Sequence, residues 1–382
     1  MSVYQIYVRD RNLQRIGVIG DYTKLTYTLH FNEVGKWTLE LADGTREAEY
    51  LKQVRAQGGG LGGIIVEREQ QFLFSGSIRN LEVTGDWDDT EGDILRVEGT
   101  DDNGLLATRL AMPPPYTAVA GTGIGYDVFT GRAEAALIHL VRKNGGEESD
   151  GPRRILGLVT ATDSGRGSQL TVRSRYHPLI EKLQECALPD DLGFRVMQVG
   201  QALQFQVYEP HDKSRFVVFS RERRNLAGYR YAVEAPQINF VIGGGTGEET
   251  ARVFAYLGDE PSRQLYGMIE GFDDQRSVSD QTELIKSIHN KMIEQTEKTE
   301  LEIQPLNVEP NLFMRDYTLG DRVSVEIQGE VIQDLIRSIA VEVTSTGEKI
   351  TPVIGTPGVG TKFRLFDQVR NLEGRIGQME RR

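Results

Sequence analysis

Strict alternation of apolar and polar residues is the feature that most constrains how this chain of 382 residues can fold. Residues 25–31 place a large apolar side chain at every second position, and residues 37–41 and 323–327 repeat the pattern. Successive side chains of a β-strand point to opposite faces of a sheet, so each run has one buried face and one wet face. The segment 32–35 between the first two runs is typical of a turn. The pattern predicts a mainly β protein of antiparallel strands that form small barrels or sandwiches.

Helical spacing interrupts these strands and divides the chain. Residues 133–143 and 179–187 have the period of short helices, and Asp280 with Glu283 three residues later is typical of a helix start. We therefore predict a mainly β fold with α+β insertions in four segments: a first β-barrel domain over 1–103, a peripheral α+β domain over 104–235 whose late part can return to the first barrel, a second β-barrel domain over 236–356 with an inserted helix over 280–300, and a linker with a C-terminal coiled-coil helix over 357–382.

The predicted helix that begins at Asp280 has one apolar face. Leu284, Ile285, Ile288 and Met292 are spaced so that they follow one side of a helix. We expect all four side chains to pack against the neighbouring strands.

A second amphipathic helix is predicted over residues 362–382. Its apolar residues are separated by four, three, four and three positions, which is the spacing of a coiled-coil seam. Gly374 and Gly377 each cost such a helix roughly 1 kcal/mol. Since a short helix cannot bury this seam alone, we predict that it joins copies of the chain, and the alternative is that it lies on the body of its own subunit. The predicted oligomerisation residues are Leu365, Val369, Leu372, Ile376 and Met379.

Charge, cysteine content and the lack of long apolar runs argue against several classes of function and of site. The net charge of −12 disfavours tight binding of nucleic acid, whose phosphates attract Lys and Arg. Cys186 is the single cysteine, which excludes a disulfide within the chain and a cysteine-based metal site. Residues 1–15 lack the apolar core of a signal peptide. No apolar run approaches the roughly 18 residues of a membrane helix, so we predict no membrane segment.

The motifs that suggest chemistry are incomplete. The glycine-rich run 243–247 is followed by Glu248 and Glu249, where a phosphate-binding loop needs a lysine. The acidic run 86–93 lacks the glycine and glutamate positions of a calcium loop. Ser164 has no nucleophile-elbow pattern, the five histidines are scattered, and Cys186 lies on an apolar helix face. We predict no catalytic, cofactor-binding or metal-binding residues and no cofactor.

Three stretches together resemble a known family. They are FNEVGKWTLEL at 31–41, GGGTGEETAR at 243–252 and YTLGDRVSV at 317–325. Their sequences, order and spacing are similar to those of the tail-hub proteins of long-tailed, non-contractile bacteriophages, also called minor tail or tail-associated baseplate hub proteins. The resemblance covers roughly residues 1–356.

The resemblance implies a structural protein of the virion tail tip, assembled in the host cytoplasm. It implies a homotrimeric ring in which two small β-barrels per subunit form a pseudo-hexameric tube. The implied partners are the distal tail protein hexamer, the tape measure protein and a tail fibre or tip protein, and DNA passes through without specific binding during host cell entry. The alternatives are a cell-wall-degrading enzyme attached to the tip, or a trimeric carbohydrate-binding adhesin with clustered exposed aromatic residues in one domain.

Overall fold

The computed structural model describes residues 4–58, 60–85, 92–116, 125–276, 278–306 and 308–355. The strands are β1 (Tyr4–Arg9), β2 (Arg15–Ile19), β3 (Lys24–His30), β4 (Lys36–Ala42), β5 (Gly63–Arg68), β6 (Gln71–Thr84), β7 (Ile94–Asp101), β8 (Leu110–Ala111), β9 (Asp127–Arg132), β10 (Leu158–Thr160), β11 (Gln169–Ser174), β12 (His177–Pro178), β13 (Gly193–Val199), β14 (Ala202–Tyr208), β15 (Val218–Ser220), β16 (Leu226–Glu234), β17 (Phe240–Gly244), β18 (Phe254–Gly258), β19 (Glu270–Asp274), β20 (Lys298–Pro305), β21 (Arg322–Ile327), β22 (Glu330–Thr344) and β23 (Gly347–Gly355). The helices are α1 (Arg46–Gln57), α2 (Asn103–Leu106), α3 (Ala133–Asn144), α4 (Leu179–Ala187), α5 (Glu260–Tyr266) and α6 (Gln281–Gln295).

The chain forms two compact units, each made of two stretches of sequence. Over the residues that the structure describes, unit 1 comprises 4–225 and 305–352, and unit 2 comprises 226–304 and 353–355. The strand β23 crosses from the first unit into the second. These boundaries differ from the four predicted segments, and that division stays a prediction.

Unit 1 is organised around one large sheet. Its strands run in the order β15-β21-β22-β3-β4-β7-β6-β5-β1-β2, and all neighbours are antiparallel except β15 and β21. The late strand β22 pairs with the early strand β3, with Ile339 opposite Leu29. An ion pair of 2.6 Å between Arg68 and Glu348 also joins early and late residues. Residues 305–352 therefore complete a sheet that begins near the start of the chain.

The part of unit 1 between β7 and β15, which we call the insertion, packs around a core that also includes Leu13 and Leu61. Antiparallel β13 and β14 form a hairpin around Gly200, β10 pairs in parallel with β14, and α3 packs against α4. Apolar residues on one side of each element meet in this core because both helices are amphipathic. Its fully buried members include Leu137, Leu140, Leu183, Leu203 and Phe205.

Unit 2 contains a second, smaller sheet, against which α6 packs. Its strand order is β18-β17-β19, with β17 antiparallel to β18 and parallel to β19. The side chain of Asp280 accepts a hydrogen bond from the backbone of Glu283 at the start of α6, as the sequence predicts. Elsewhere in the unit, β20 pairs with the last three residues of β23.

The mainly β class with α+β insertions is confirmed, while the barrels and one helix face need correction. A sheet closes into a barrel only when its first and last strands pair. Within the ranges that the structure describes, no sheet has its first and last strands paired, so none closes on itself. On α6, Leu284 and Ile288 are fully buried, but Ile285 is 43% exposed, so its predicted burial is wrong. Leu284 and Ile288 are four positions apart and therefore lie on the same side of the helix, facing the sheet. Ile285 directly follows Leu284 and points towards solvent.

Candidate interaction surface

The small sheet of unit 2 has one covered face and one open face. Helix α6 covers the first face, where Leu284 and Ile288 pack with Val241 and Ala255. The close approach requires a glycine at position 243, because a Cβ there would lie 2.4 Å from Cγ2 of Ile288. The covered face therefore forms the core of this unit, and large side chains of the opposite face are exposed.

Aromatic residues from all three strands occupy the open face. Tyr256 and Phe272 lie on either side of Ile242, one on each neighbouring strand. Tyr256 is 75% exposed, and Phe254 and Phe272 are 50% and 49% exposed. Phe240 stacks on Tyr256 with 6.0 Å between ring centroids and 24° between ring planes. We call the side chains of Phe240, Ile242, Phe254, Tyr256 and Phe272 the aromatic face.

An arginine at the edge of this sheet is held beside the aromatic face by hydrogen bonds and ring contacts. Nε and Nη2 of Arg252 donate to the carbonyl oxygens of Gly245 and Gly244, at 3.0 and 2.9 Å. Its guanidinium carbon lies 5.6 Å from the ring centroid of Phe254 and 5.5 Å from that of Phe272. A cation beside aromatic rings gains from their quadrupoles. The guanidinium is thus held as a flat, fixed part of the surface.

The glycine-rich run has a structural role in this arrangement. A Cβ at Gly244 would lie 2.5 Å from Nη2 of Arg252, so only glycine leaves room for the guanidinium. Arg252 also pairs with Asp274. Burial opposes ionisation of the Asp274 carboxyl, but hydrogen bonds from Arg252 and Arg276 prevail and hold its pKa below the ordinary value. The run 243–247 serves packing and this ion pair.

The arrangement is chemically suited to binding a macromolecule. Exposed apolar patches mark interaction sites, and aromatic residues with arginine are enriched where binding energy concentrates. The sequence shows the aromatic residues of β17 and β18, but it does not show that α6 covers the other face. A partial signal is the alternation of Phe254 and Tyr256 with the smaller Ala255.

The residues predicted from sequence to carry function fall in different places. The predicted oligomerisation residues Leu365, Val369, Leu372, Ile376 and Met379 lie outside the described residues, and their role stays a prediction. Most of the acidic run 86–93 also lies outside them. Cys186 is buried, and this burial raises the pKa of its thiol to about 12.

One histidine takes part in a polar cluster in unit 1. Nε2 of His139 lies 3.0 Å from Oδ2 of Asp127, and the hydroxyl of Tyr116 donates to Oδ1 of Asp127 at 3.0 Å. The imidazole also stacks on Phe129 with 4.5 Å between ring centroids. These contacts hold α3 against β9. Within the described ranges, no group of three or more His, Cys, Asp or Glu residues is arranged to hold a metal ion.

Comparison with known families identifies the chain. The model of the family described as Siphovirus ReqiPepy6 Gp37-like protein matches residues 5–356. The chain belongs to this family. No curated protein matches the sequence of this family member. In the described part of the chain, no helix is both long and apolar enough to cross a membrane.

Solved structures show that this family member has the fold of phage tail proteins. The 43 kDa tail protein of prophage MuSo2 from Shewanella oneidensis matches with a TM-score of 0.57 and 11% identity, over 92% of this chain and 97% of that chain. A tail protein of Neisseria meningitidis MC58 matches with a TM-score of 0.57 and 12% identity, over 94% and 98% of the two chains. Prophage tail protein gp18 of Listeria monocytogenes EGD-e gives 0.52 and 10%, over 91% and 94%. The resemblance seen in the sequence is confirmed.

Proposed function

We propose that the chain is a structural hub subunit of a siphophage tail tip and that three copies form a ring. The fold shared with phage tail proteins along nearly the whole of both chains carries this proposal. In the ring, the subunit joins the distal tail protein hexamer and the tape measure protein on one side to a fibre or tip protein on the other. It acts at the tail tip of the virion after assembly in the host cytoplasm.

The proposed role is mechanical, and the surroundings of one histidine and of the cysteine in unit 1 agree with it. The imidazole of His139 is engaged with Asp127 and Phe129 and supports the packing of α3. The buried thiol of Cys186 has a raised pKa and is therefore a poor nucleophile at neutral pH. A cell-wall-degrading activity would need an exposed acid and base pair or an activated nucleophile. The test is incubation of the purified protein with peptidoglycan, in which we expect no release of soluble fragments.

The three-copy ring is tested by mass. We expect light scattering of the purified full chain to give three times the 42.8 kDa of one copy. A second sample contains the distal tail protein, since a hub ring can require its neighbour to assemble. A monomer over a wide concentration range in both samples would contradict the ring.

A carbohydrate-binding adhesin is the second candidate function. The aromatic face favours it, because clustered exposed aromatic side chains in one unit are the feature that such an adhesin would show. A glycan array separates the two candidates. The hub proposal predicts no glycan bound above background, and the adhesin predicts a glycan whose binding is lost on Tyr256→Ser but kept on Phe216→Ser. Phe216 is the matched control, because it lies in unit 1 and is 77% exposed against 75% for Tyr256.

A further inference from the structure

The charges of unit 2 indicate what kind of binding partner would fit the aromatic face. Residues 226–304 of unit 2 contain 14 Asp and Glu against 7 Lys and Arg. Arg252 on the face is already paired with Asp274, and Arg263, whose guanidinium lies 5.6 Å from the ring of Phe240, is paired with Glu260. The complementary partner is therefore apolar in its centre and basic at its edges.

One segment of this chain has that composition. Residues 362–382 contain 6 Lys and Arg against 3 Asp and Glu, so the segment is basic where unit 2 is acidic. Its apolar residues Leu365, Val369, Leu372, Ile376 and Met379 have the spacing that places side chains on one side of a helix. A stripe of this kind gains stability only by contact with another apolar surface.

The segment starts close enough to reach the aromatic face. The described chain ends at Gly355, which pairs with Glu300 in unit 2. Residues 356–361 can span up to about 20 Å when extended, and a helix over 362–382 is about 30 Å long. A compact body of the size of residues 226–304 has a radius of gyration of roughly 12 Å. Every part of the surface of unit 2 is therefore within reach of the segment.

We propose that residues 362–382 dock as an amphipathic helix on the aromatic face of the same copy. The apolar stripe contacts Phe254, Tyr256 and Phe272, while the basic residues of the segment face the acidic surroundings. The attachment of both partners to one chain favours this contact through a high effective concentration. Docking competes with a coiled coil, because the stripe cannot pack on both surfaces at once. Assembly into a ring then depends on the subunit bodies.

Disulfide trapping in the full-length chain tests the proposal. One variant carries Tyr256→Cys with Leu372→Cys, and the control carries Phe216→Cys with Leu372→Cys. The native Cys186 is only 3% exposed and does not compete. After mild oxidation, we expect the first variant to form a disulfide within one chain in at least tenfold higher yield than the control. Salt screens charge attraction between exposed groups, so the yield should fall several-fold between 0.05 and 0.5 M NaCl.

The other outcomes each overturn the docking. A main product joined through position 372 of two chains would show that the stripe packs against a second stripe. A main product that joins positions 256 and 372 of different chains would show that a neighbouring copy supplies the segment. A yield no higher than that of the control would mean that another occupant, such as a glycan or a different protein, covers the face. None of these results depends on the mass measurement that tests the ring.

Chemical labelling gives a second readout without introduced cysteines. In the full-length chain, docking protects Tyr256 from nitration, so Leu372→Asp should speed nitration of Tyr256 at least fivefold. Tyr176 in unit 1 is 40% exposed and should react at the same rate in both proteins. An equal rate for Tyr256 in both proteins would overturn the docking.

Discussion

Arg9 and Asp102 form a fully buried ion pair between residues 93 positions apart in the sequence. Nη1 and Nη2 of Arg9 donate to Oδ2 and Oδ1 of Asp102 at 2.8 and 2.5 Å. Ser75 donates to the same carboxylate, and Nε of Arg9 donates to the carbonyl of Leu61. The guanidinium also contacts Gln198 of the insertion. The pair therefore fixes the start of the sheet, β6 and the insertion to one point inside unit 1.

Removal of one partner of this pair should destabilise unit 1 strongly. Asp102→Ala leaves the guanidinium of Arg9 buried without its counter-charge, which costs about 3–5 kcal/mol. Urea denaturation measures the change in the free energy of unfolding. The control is Glu67→Ala, which removes the partner of the half-exposed Arg15 and should cost less than about 1 kcal/mol. Equal costs for the two variants would show that burial of the Arg9 pair does not matter.

The neighbouring Asp101 should make stability depend on pH. Burial raises the pKa of the Asp101 carboxyl from 3.8 to about 7. A hydrogen bond from the backbone of Gly35 lowers this pKa, and the negative charge of Asp102 raises it. The folded state therefore holds a proton that the unfolded state releases near pH 4. The protonated carboxyl contributes its full share of the free energy of unfolding below pH 4. This share is lost as the pH rises to about 7, and the loss is about 4 kcal/mol at most.

Urea denaturation at several pH values measures this dependence. Asp101→Asn cannot ionise and should flatten the decline between pH 4 and 7, while the remaining groups keep their contributions. If the variant and the unmodified chain lose stability in parallel over this range, Asp101 is not the group responsible.

Two isoleucines of α6 should respond differently to the same substitution. Ile288 is fully buried, so Ile288→Asp places an unpaired charge in the core of unit 2 and should cost several kcal/mol. Ile285 is 43% exposed, so Ile285→Asp should cost less than about 1 kcal/mol. The shift of the unfolding transition in urea compares them. Similar shifts would mean that the orientation of the helix is misassigned.

The proposed ring should not hold DNA that passes through it. Tight binding to DNA requires Lys and Arg side chains that neutralise phosphates and so release the counterions condensed on the DNA. The chain instead has a net charge of −12. Fluorescence anisotropy of a labelled duplex should show no binding at micromolar protein in 0.15 M salt. We propose that Glu326 and Glu342 lie on strand faces that line the channel, so Glu326→Lys with Glu342→Lys should create binding that weakens steeply with salt. Micromolar affinity of the unmodified chain would contradict this.

The amino-acid sequence by itself determined the local elements of this protein. The helix α4 begins and ends at the predicted residues Leu179 and Ala187, and the side chain of Asp280 caps α6 as predicted. Period and capping depend on neighbours within a few positions, and a single sequence contains that information. The three resembling stretches also point to the family that the comparison establishes.

Only the tertiary structure decided which elements meet. Alternation gives a strand one buried face, but it does not state that β22 pairs with β3 or that the sheet stays open over the described residues. It also leaves open which face of the small sheet is covered, and α6 settles this by packing on one face and leaving Tyr256 exposed on the other. The contact between Arg9 and Asp102 is likewise absent from any local pattern. Such contacts depend on long-range packing, whose energy is shared among residues far apart in the chain.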